Sequence, residues 1–545
     1  MSQTPGATPA AAQITGQHWI AGQRVAATSR HFQATAAATG QLLEPAFGDA
    51  TPDEIQAACA AAQAAFVSYR QADDETRAAL LDAIADEVSA AGDALLERCE
   101  LETGLPRQRL LFERQRTVNQ ARLFAQVVRE GSWAEPRIDH ADPNSGAPDC
   151  RSRWLPVGPV AVFGAANFPL AISVVGNDTI AALAAGCPVV VKAHPGHPGT
   201  CEILADCLTR AISRQNLHPG LFSMLHGLGH DVGRTLVQDP HIQAVGFTGS
   251  LAGGRALFDA VCQRPQLIPV YAEMGSVNPV FFFPGALRDD RWQKLVTPLA
   301  GSITAGCGQM CTQPGLLLGQ NSDEWQNLHA AVATRVSNDT YTLLHPGIAA
   351  AYRDGVAERA RPTTGLDVRL APTANAATPD DSASACRVGG AVFATNIEKL
   401  LNDHQLEEEI FGPTTVFVAC DHLDSMLQYA RQMKGSLTAS VFAAPEEFHA
   451  ARPLIDILQT KVGRIIFNGF PTGVQVNHAM MHGGPYPAAI GSFTSIGTGS
   501  IKRFARPVCL QQFPPELLPD VLREAAPRQT LRMIDGRYQI AGQVT

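Results

Sequence analysis

The chain predicts an α/β protein built on a doubly wound parallel sheet, and three observations carry that prediction. Apolar runs at 157–163, 188–191, 221–225, 242–247 and 268–271 alternate with helical patterns at about 170–185, 200–215, 232–238 and 253–262. Strands buried on both faces read as near-continuous apolar runs, and the helices between them are the crossovers that parallel pairing requires. A second α/β half follows Glu273, with strand-like runs at 278–283 and 461–467. Finally, 545 residues are too many for one small core, so two or three domains are expected.

Composition narrows the function classes. The net charge of -9 comes from 42 basic and 51 acidic residues scattered along the chain, with no basic block suited to nucleic acid or anionic lipid. Small molecules and copies of the chain itself are the expected partners. The 12 cysteines fall at irregular spacings without a Cys-x-x-Cys pair, so no metal site is expected and a reducing cytoplasm is. No apolar stretch is long enough to span a membrane. Lysine is rare, and Lys192, the first in the chain, directly follows the apolar run Val189-Val190-Val191. A compact, flexible ammonium is expected to be needed there.

In order along the chain, residues 1–15 read as loosely attached, and His18 to Gly22 as a strand and turn. Thr51-Pro52-Asp53-Glu54 is an N-cap with proline at the first helical position, opening a helix towards Tyr69. Helical patterns run from Asp73 to Gly104 and from Leu110 to Val128, the latter carrying Arg116 and Gln120 four apart on one face. Residues 140–150 read as an excursion before the first parallel strand. Gly227, Gly229 and Gly233 follow the third parallel strand in a spacing close to a dinucleotide fingerprint, a weak signal alone. Gly246-Phe247-Thr248-Gly249-Ser250 ends the fourth strand at a helix start, where backbone N–H groups suit a pyrophosphate. The small-residue stretch 301–312 holds Cys311 behind Gly308-Gln309-Met310. Such a thiol is commonly structural; the alternative is an accessible nucleophile. Residues 371–385 read as a surface loop, Glu409-Ile410-Phe411-Gly412-Pro413 as a turn carrying an acid and an aromatic, and the stretch from Gln511 as lacking recognisable chemistry.

Asn167-Phe168-Pro169, Lys192, Gly246 to Ser250, Glu273-Met274-Gly275, Gly308 to Cys311 and Glu409 to Pro413, in this order, resemble the aldehyde dehydrogenase superfamily from about residue 18 to about 510. The resemblance implies a Rossmann-type NAD(P)-binding domain (16–129 and 154–275), an α/β catalytic domain (276–485), small β oligomerisation strands (130–153 and 486–510) and a C-terminal extension (511–545). It implies Cys311 as the nucleophile, the Asn167 amide with the Cys311 backbone N–H as oxyanion donors, and Glu273 as the base that activates water for thioester hydrolysis. Glu273 is expected to be partly desolvated, because a carboxylate in free water would be too weak a base. Cys307 reads as a packing thiol.

By the same resemblance Lys192, His194, Gly227, Gly229, Gly233, Phe247, Thr248, Gly249, Ser250, Met274, Glu409 and Phe411 would bind the cofactor. Many NAD-using members have an acid three residues after the lysine; here that residue is Pro195. Without that carboxylate a 2′-phosphate is not repelled, so NADP is expected to be preferred and NAD accepted. Two further departures, Ala165-Ala166 before the asparagine and His482-Gly483-Gly484 late in the chain, should reshape the pocket. With Glu113 to Thr117 and Lys192 to Pro195, the latter looks like the bacterial ketoglutarate semialdehyde (2,5-dioxopentanoate) dehydrogenases, whose relatives include fatty aldehyde enzymes. The substrate is then expected to meet Arg116 and Gln120 at its carboxylate end, with Phe168, Phe470 and His482 on the tunnel wall. A homodimer or homotetramer is implied. An apolar-aldehyde enzyme, or a non-catalytic binding protein on the same fold, are the alternatives.

Overall fold

The computed structural model describes residues 14–370, 385–526 and 529–540. The segments read as a loose N-terminus and a surface loop lie almost entirely outside the described residues. Five parallel strands form the centre of the larger sheet in the spatial order Phe222–Leu225, Val189–Lys192, Val160–Phe163, Ala244–Thr248, Val270–Glu273. The chain steps one way from Val160–Phe163 and then returns to its other side at Ala244–Thr248. That reversal opens a crevice at the strands' C-terminal ends, where doubly wound sheets bind their ligands. The hairpin His18–Ile20 and Gln23–Val25 extends one edge antiparallel, and Ala489–Ile490 closes the other.

Local signals explain the covering helices. Pro52–Tyr69 begins with a capping box in which Thr51 and Glu54 satisfy each other's backbone amides. The pattern from Asp73 to Gly104 is two helices, Asp74–Ala90 and Gly92–Thr103, ended by Gly104 at φ +66°. Arg107–Glu130 runs longer than the pattern suggested and stops at left-handed Gly131. One expected helix is half its length: only Asn177–Ala185 of 170–185 is helical. The amides of Leu170 and Ala171 are instead donated to Oε1 of the buried Glu113 carboxylate, at 2.8 and 3.0 Å. That charge-assisted pair anchors the segment ahead of Asn177 to the helix Arg107–Glu130.

The second half holds a seven-stranded sheet, ordered Asp367–Leu370, Ala391–Asn396, Thr414–Cys420, Leu316–Gln320, Val280–Phe282, Ser436–Phe442, Val462–Phe467. All pairings but the first are parallel. A third sheet of five strands joins Arg137–Asp139 and Cys150–Pro156 to Ala505–Gln511. The C-terminal stretch, read as featureless, supplies its other two strands: Leu531–Ile534 pairs with Arg137–Asp139 and Arg537–Ile540 closes the edge. The expected strand region 486–510 divides, since Ala489–Ile490 joins the first sheet.

Candidate active site

The crevice of the first sheet opens into a cavity of about 1170 Å³ that reaches Cys311. Strand ends supply one wall: Phe163 and Gly164, Lys192 to Gly196, Phe247 to Ser250, and Glu273 to Gly275. The other half contributes Cys311 and the Glu408 to Phe411 turn. Cys311 and Glu409 come together because their loops enter two paired strands, Leu316–Gln320 and Thr414–Cys420. The loops touch at Gly308, whose φ is +71° and where a Cβ would lie 2.3 Å from the Gly412 carbonyl carbon. Only glycine fits there. Asn278 then locks the segment, donating to the Cys311 and Gln313 carbonyls at 2.8 and 2.9 Å.

Cys311 is half-buried. Burial and then the Glu273 carboxylate push its thiol well above the ordinary range. Glu273, the last residue of its strand, is buried; its Oε2 accepts from Ser495 Oγ at 2.5 Å and its Oε1 lies 3.2 Å from His482 Nε2. Glu273 is desolvated, as expected, but its other neighbours act against the effect of that burial. Burial does push Glu273 up, but His482 and the Ser495 hydroxyl outweigh it and lower it to about 2. With His482 and Ser495 beside it, the ionised form of Glu273 is favoured in this arrangement. Asn167 is buried beside the cavity, and its Nδ2 donates one hydrogen to the Gln309 carbonyl at 2.9 Å, which leaves a second amide hydrogen to account for.

The remaining expected residues divide. Lys192, His194, Gly229, Gly233, Phe247, Thr248, Gly249, Ser250, Met274, Glu409 and Phe411 all line the cavity. Gly227 is not among the lining residues; a Cβ there would meet the Val232 side chain at 2.8 Å, so it serves the turn. Ser250 Oγ is occupied as the N-cap of Leu251–Cys262. His194 is held well below the ordinary imidazole range by burial and by neighbouring His197, Lys192 and His345, so it is neutral and brings no charge to a phosphate. Phe470 follows the strand Val462–Phe467; it is partly buried, its ring packs on Phe442 with centroids 4.8 Å apart, and it does not line the cavity described above. His482 is fully buried and puts Nε2 3.3 Å from Cys311 Sγ. Arg116 lies over the Phe168 ring, its Nη1 buried without a partner, and both polar atoms of the buried Gln120 amide are likewise unpartnered. Burial lowers the Arg116 pKa, with Glu113, Cys311 and Glu273 acting against that.

The aldehyde dehydrogenase family profile matches residues 24–505. The chain belongs to the aldehyde dehydrogenase family. It is 43% identical over 97% of its length to "Alpha-ketoglutaric semialdehyde dehydrogenase 2" of Azospirillum brasilense, covering 100% of that protein. It is 41% identical over 96% of its length to "Alpha-ketoglutaric semialdehyde dehydrogenase" of Acinetobacter baylyi, covering 98% of it. Among solved structures, a betaine aldehyde dehydrogenase mutant of Staphylococcus aureus in complex with NAD+ superposes with a TM-score of 0.78 at 18% identity, covering 92% of this chain and 98% of that one. As an aldehyde dehydrogenase this chain carries out NAD(P)-dependent oxidation of an aldehyde to an acid.

The aldehyde dehydrogenase cavity fits a dinucleotide on its own features. The helix His230–Gln238 starts at Gly229 with no side-chain cap, leaving amides at the cavity edge for phosphate oxygens. Glu409 reaches over Gly275, where a Cβ would sit 2.2 Å from its Oε2. Bound there, the cofactor supplies the hydride acceptor. Sequence reasoning missed Glu113, Ser495, Asn278 and Arg464, the last of which acts electrostatically on Cys311. Glu113 entered that reasoning only as the start of the Glu113 to Thr117 run, and each of the four works through a contact across tens to hundreds of residues.

Proposed function

We propose that this chain oxidises 2,5-dioxopentanoate to 2-oxoglutarate, in the cytoplasm and as a homodimer or homotetramer. The observation that carries the reading is a trio of unpartnered buried polar atoms on the helix Arg107–Glu130, Arg116 Nη1 and the Gln120 Oε1 and Nε2, with Arg116 close enough to Cys311 to feel its charge. Buried polar atoms without partners are costly, by about 1–3 kcal/mol each, unless a ligand completes them. A substrate carboxylate with an adjacent keto oxygen is such a ligand, and guanidinium is its natural partner. Two relatives named for ketoglutaric semialdehyde support the same substrate. In this reading the Cys311 thiolate adds to the aldehyde carbon, the second Asn167 amide hydrogen and the Cys311 N–H receive the oxyanion, and water cleaves the thioester left after oxidation.

NADP is the preferred cofactor in this reading, with NAD accepted. Neutral His194 does not help, so the attraction for a 2′-phosphate rests on Lys192, with Arg234 also at the cavity and no acid at Pro195. Assaying 2,5-dioxopentanoate beside hexanal, each with NAD and with NADP, tests both parts. Higher kcat/KM for the dioxo acid and for NADP is expected. Preference for hexanal would move the reading to apolar aldehydes, and a strong preference for NAD would refute the cofactor assignment.

A further inference from the structure

His482 Nε2 stands 3.3 Å from Cys311 Sγ and 3.2 Å from Glu273 Oε1, and the three ligand atoms lie within 4.8 Å of one another. The ring is held there from its own backbone. The His482 N–H donates to Thr494 Oγ1 at 2.8 Å, and its carbonyl accepts from the Ser495 N–H at 2.7 Å and from Ser495 Oγ at 3.0 Å. Ser495 Oγ in turn fixes the other oxygen of Glu273. Ser495 therefore ties the His482 backbone to the carboxylate, and the His482 ring bridges the carboxylate and the thiol.

This unit resolves a conflict in the site. The reaction needs a thiolate, yet Cys311 is half-buried beside one carboxylate and near a second, Glu409, both of which favour the thiol. The titratable groups that bear on the cluster are the carboxyls of Glu273 and Glu409, the latter pushed up to about 8 by burial, with Asp178 paired to Arg503 behind Glu273, and the cations Arg464 and Arg116. Neither arginine makes a hydrogen bond to the sulfur; His482 does.

We propose that His482 is a fourth catalytic residue, whose Nε2 takes the Cys311 thiol proton and later the proton of the hydrolytic water while Glu273 holds the imidazolium. This rests on Cys311 being the nucleophile. In the first step the S–H bond breaks and an N–H bond forms, giving a thiolate–imidazolium pair. The thiolate bonds to the aldehyde carbon; after hydride loss to the cofactor a thioester remains, and the imidazolium proton leaves to solvent. A water O–H bond then breaks, its proton going to Nε2 and its oxygen to the thioester carbon. The C–S bond breaks with its electrons on sulfur, which restores the ion pair and releases the acid. Glu273 Oε1 lies beside the same Nε2, so the carboxylate stabilises the imidazolium charge and need not take the proton itself.

Alkylation of Cys311 by iodoacetamide, followed against pH in the full-length protein and located by peptide mass, reads thiolate directly without substrate. In His482→Gln the midpoint of the rate profile is expected to rise by about one pH unit or more, with alkylation near neutrality falling about tenfold. An unchanged midpoint overturns the proposal. Should the variant fail to fold, the ultraviolet thiolate absorbance of wild type minus Cys311→Ser serves instead. A midpoint below that of a free thiol supports the ion pair, and one above it overturns it. Full dehydrogenase activity in Cys311→Ser would instead remove the nucleophile reading, so the two failures are distinguishable.

Discussion

The two sides of Cys311 are built in opposite ways. On the cofactor side, the wall is strand ends and small residues in short contiguous runs, such as Gly246 to Ser250, presenting backbone more than side chains. On the side proposed for the substrate it is polar side chains from distant segments: Arg116 and Gln120 on one helix, Asn167 in a loop, and His482 beside Cys311. A dinucleotide is bound by geometry that a fold repeats, while a particular aldehyde is selected by groups any fold can carry. Mutations should therefore divide along the same line.

The largest effect belongs to the residue shared by both sides. Cys311→Ser should lower kcat by about 10⁴-fold or more, because a hydroxyl beside the same groups is far less acidic than a thiol. Cofactor binding, followed by fluorescence titration, should stay as in wild type; a parallel loss would mean the two sides are not separable. Asn167→Ala should come next, lowering kcat about a hundred- to a thousandfold if its second amide hydrogen serves the oxyanion. A drop below tenfold would leave the Gln309 carbonyl contact as its main role.

Most of the cofactor side was legible in the sequence, for a physical reason. Apolar runs at 157–163, 188–191 and 242–247 must pair in the interior, and the loops at their ends are then close in space whatever else the chain does. The substrate side was legible only where a helical period put Arg116 and Gln120 on one face. His482 was placed on a tunnel wall because nothing in His-Gly-Gly says which way a ring will turn; Thr494 and Ser495, twelve and thirteen residues on, decide it. The packing of Phe470 on Phe442 was not legible for a similar reason, since a ring just past a strand packs back on the neighbouring strand as readily as it faces a ligand. The segment ahead of Asn177 has its anchor fifty-seven residues upstream, in Glu113.

Arg116→Ala sharpens the substrate side alone. Loss of a charge-assisted contact of about 1.5–3 kcal/mol should reduce kcat/KM for 2,5-dioxopentanoate about ten- to a hundredfold. The value for hexanal should barely move. Equal losses for both aldehydes would mean that Arg116 acts through Phe168, which it overlies at 5.8 Å, or through the charge on Cys311.

The smallest effect tests whether the cofactor-side scaffold is as separate from the chemistry as the comparison holds. Thr51 caps the helix Pro52–Tyr69, its Oγ1 accepting from the Glu54 N–H at 3.3 Å while the Glu54 carboxylate accepts from the Thr51 N–H at 2.7 Å. That helix covers the outer face of the first sheet, with Ile55, Ala58 and Cys59 packed in the cluster that holds Phe163 and Leu225. Thr51→Ala removes one acceptor and leaves the apolar face intact, so it should cost about 1 kcal/mol in denaturant unfolding. KM for NADP and kcat should both be unchanged, because Phe163 and the strand ends are held by the sheet itself. A rise in KM for NADP larger than the stability loss accounts for would show that the helix positions the strand ends as well as covering them.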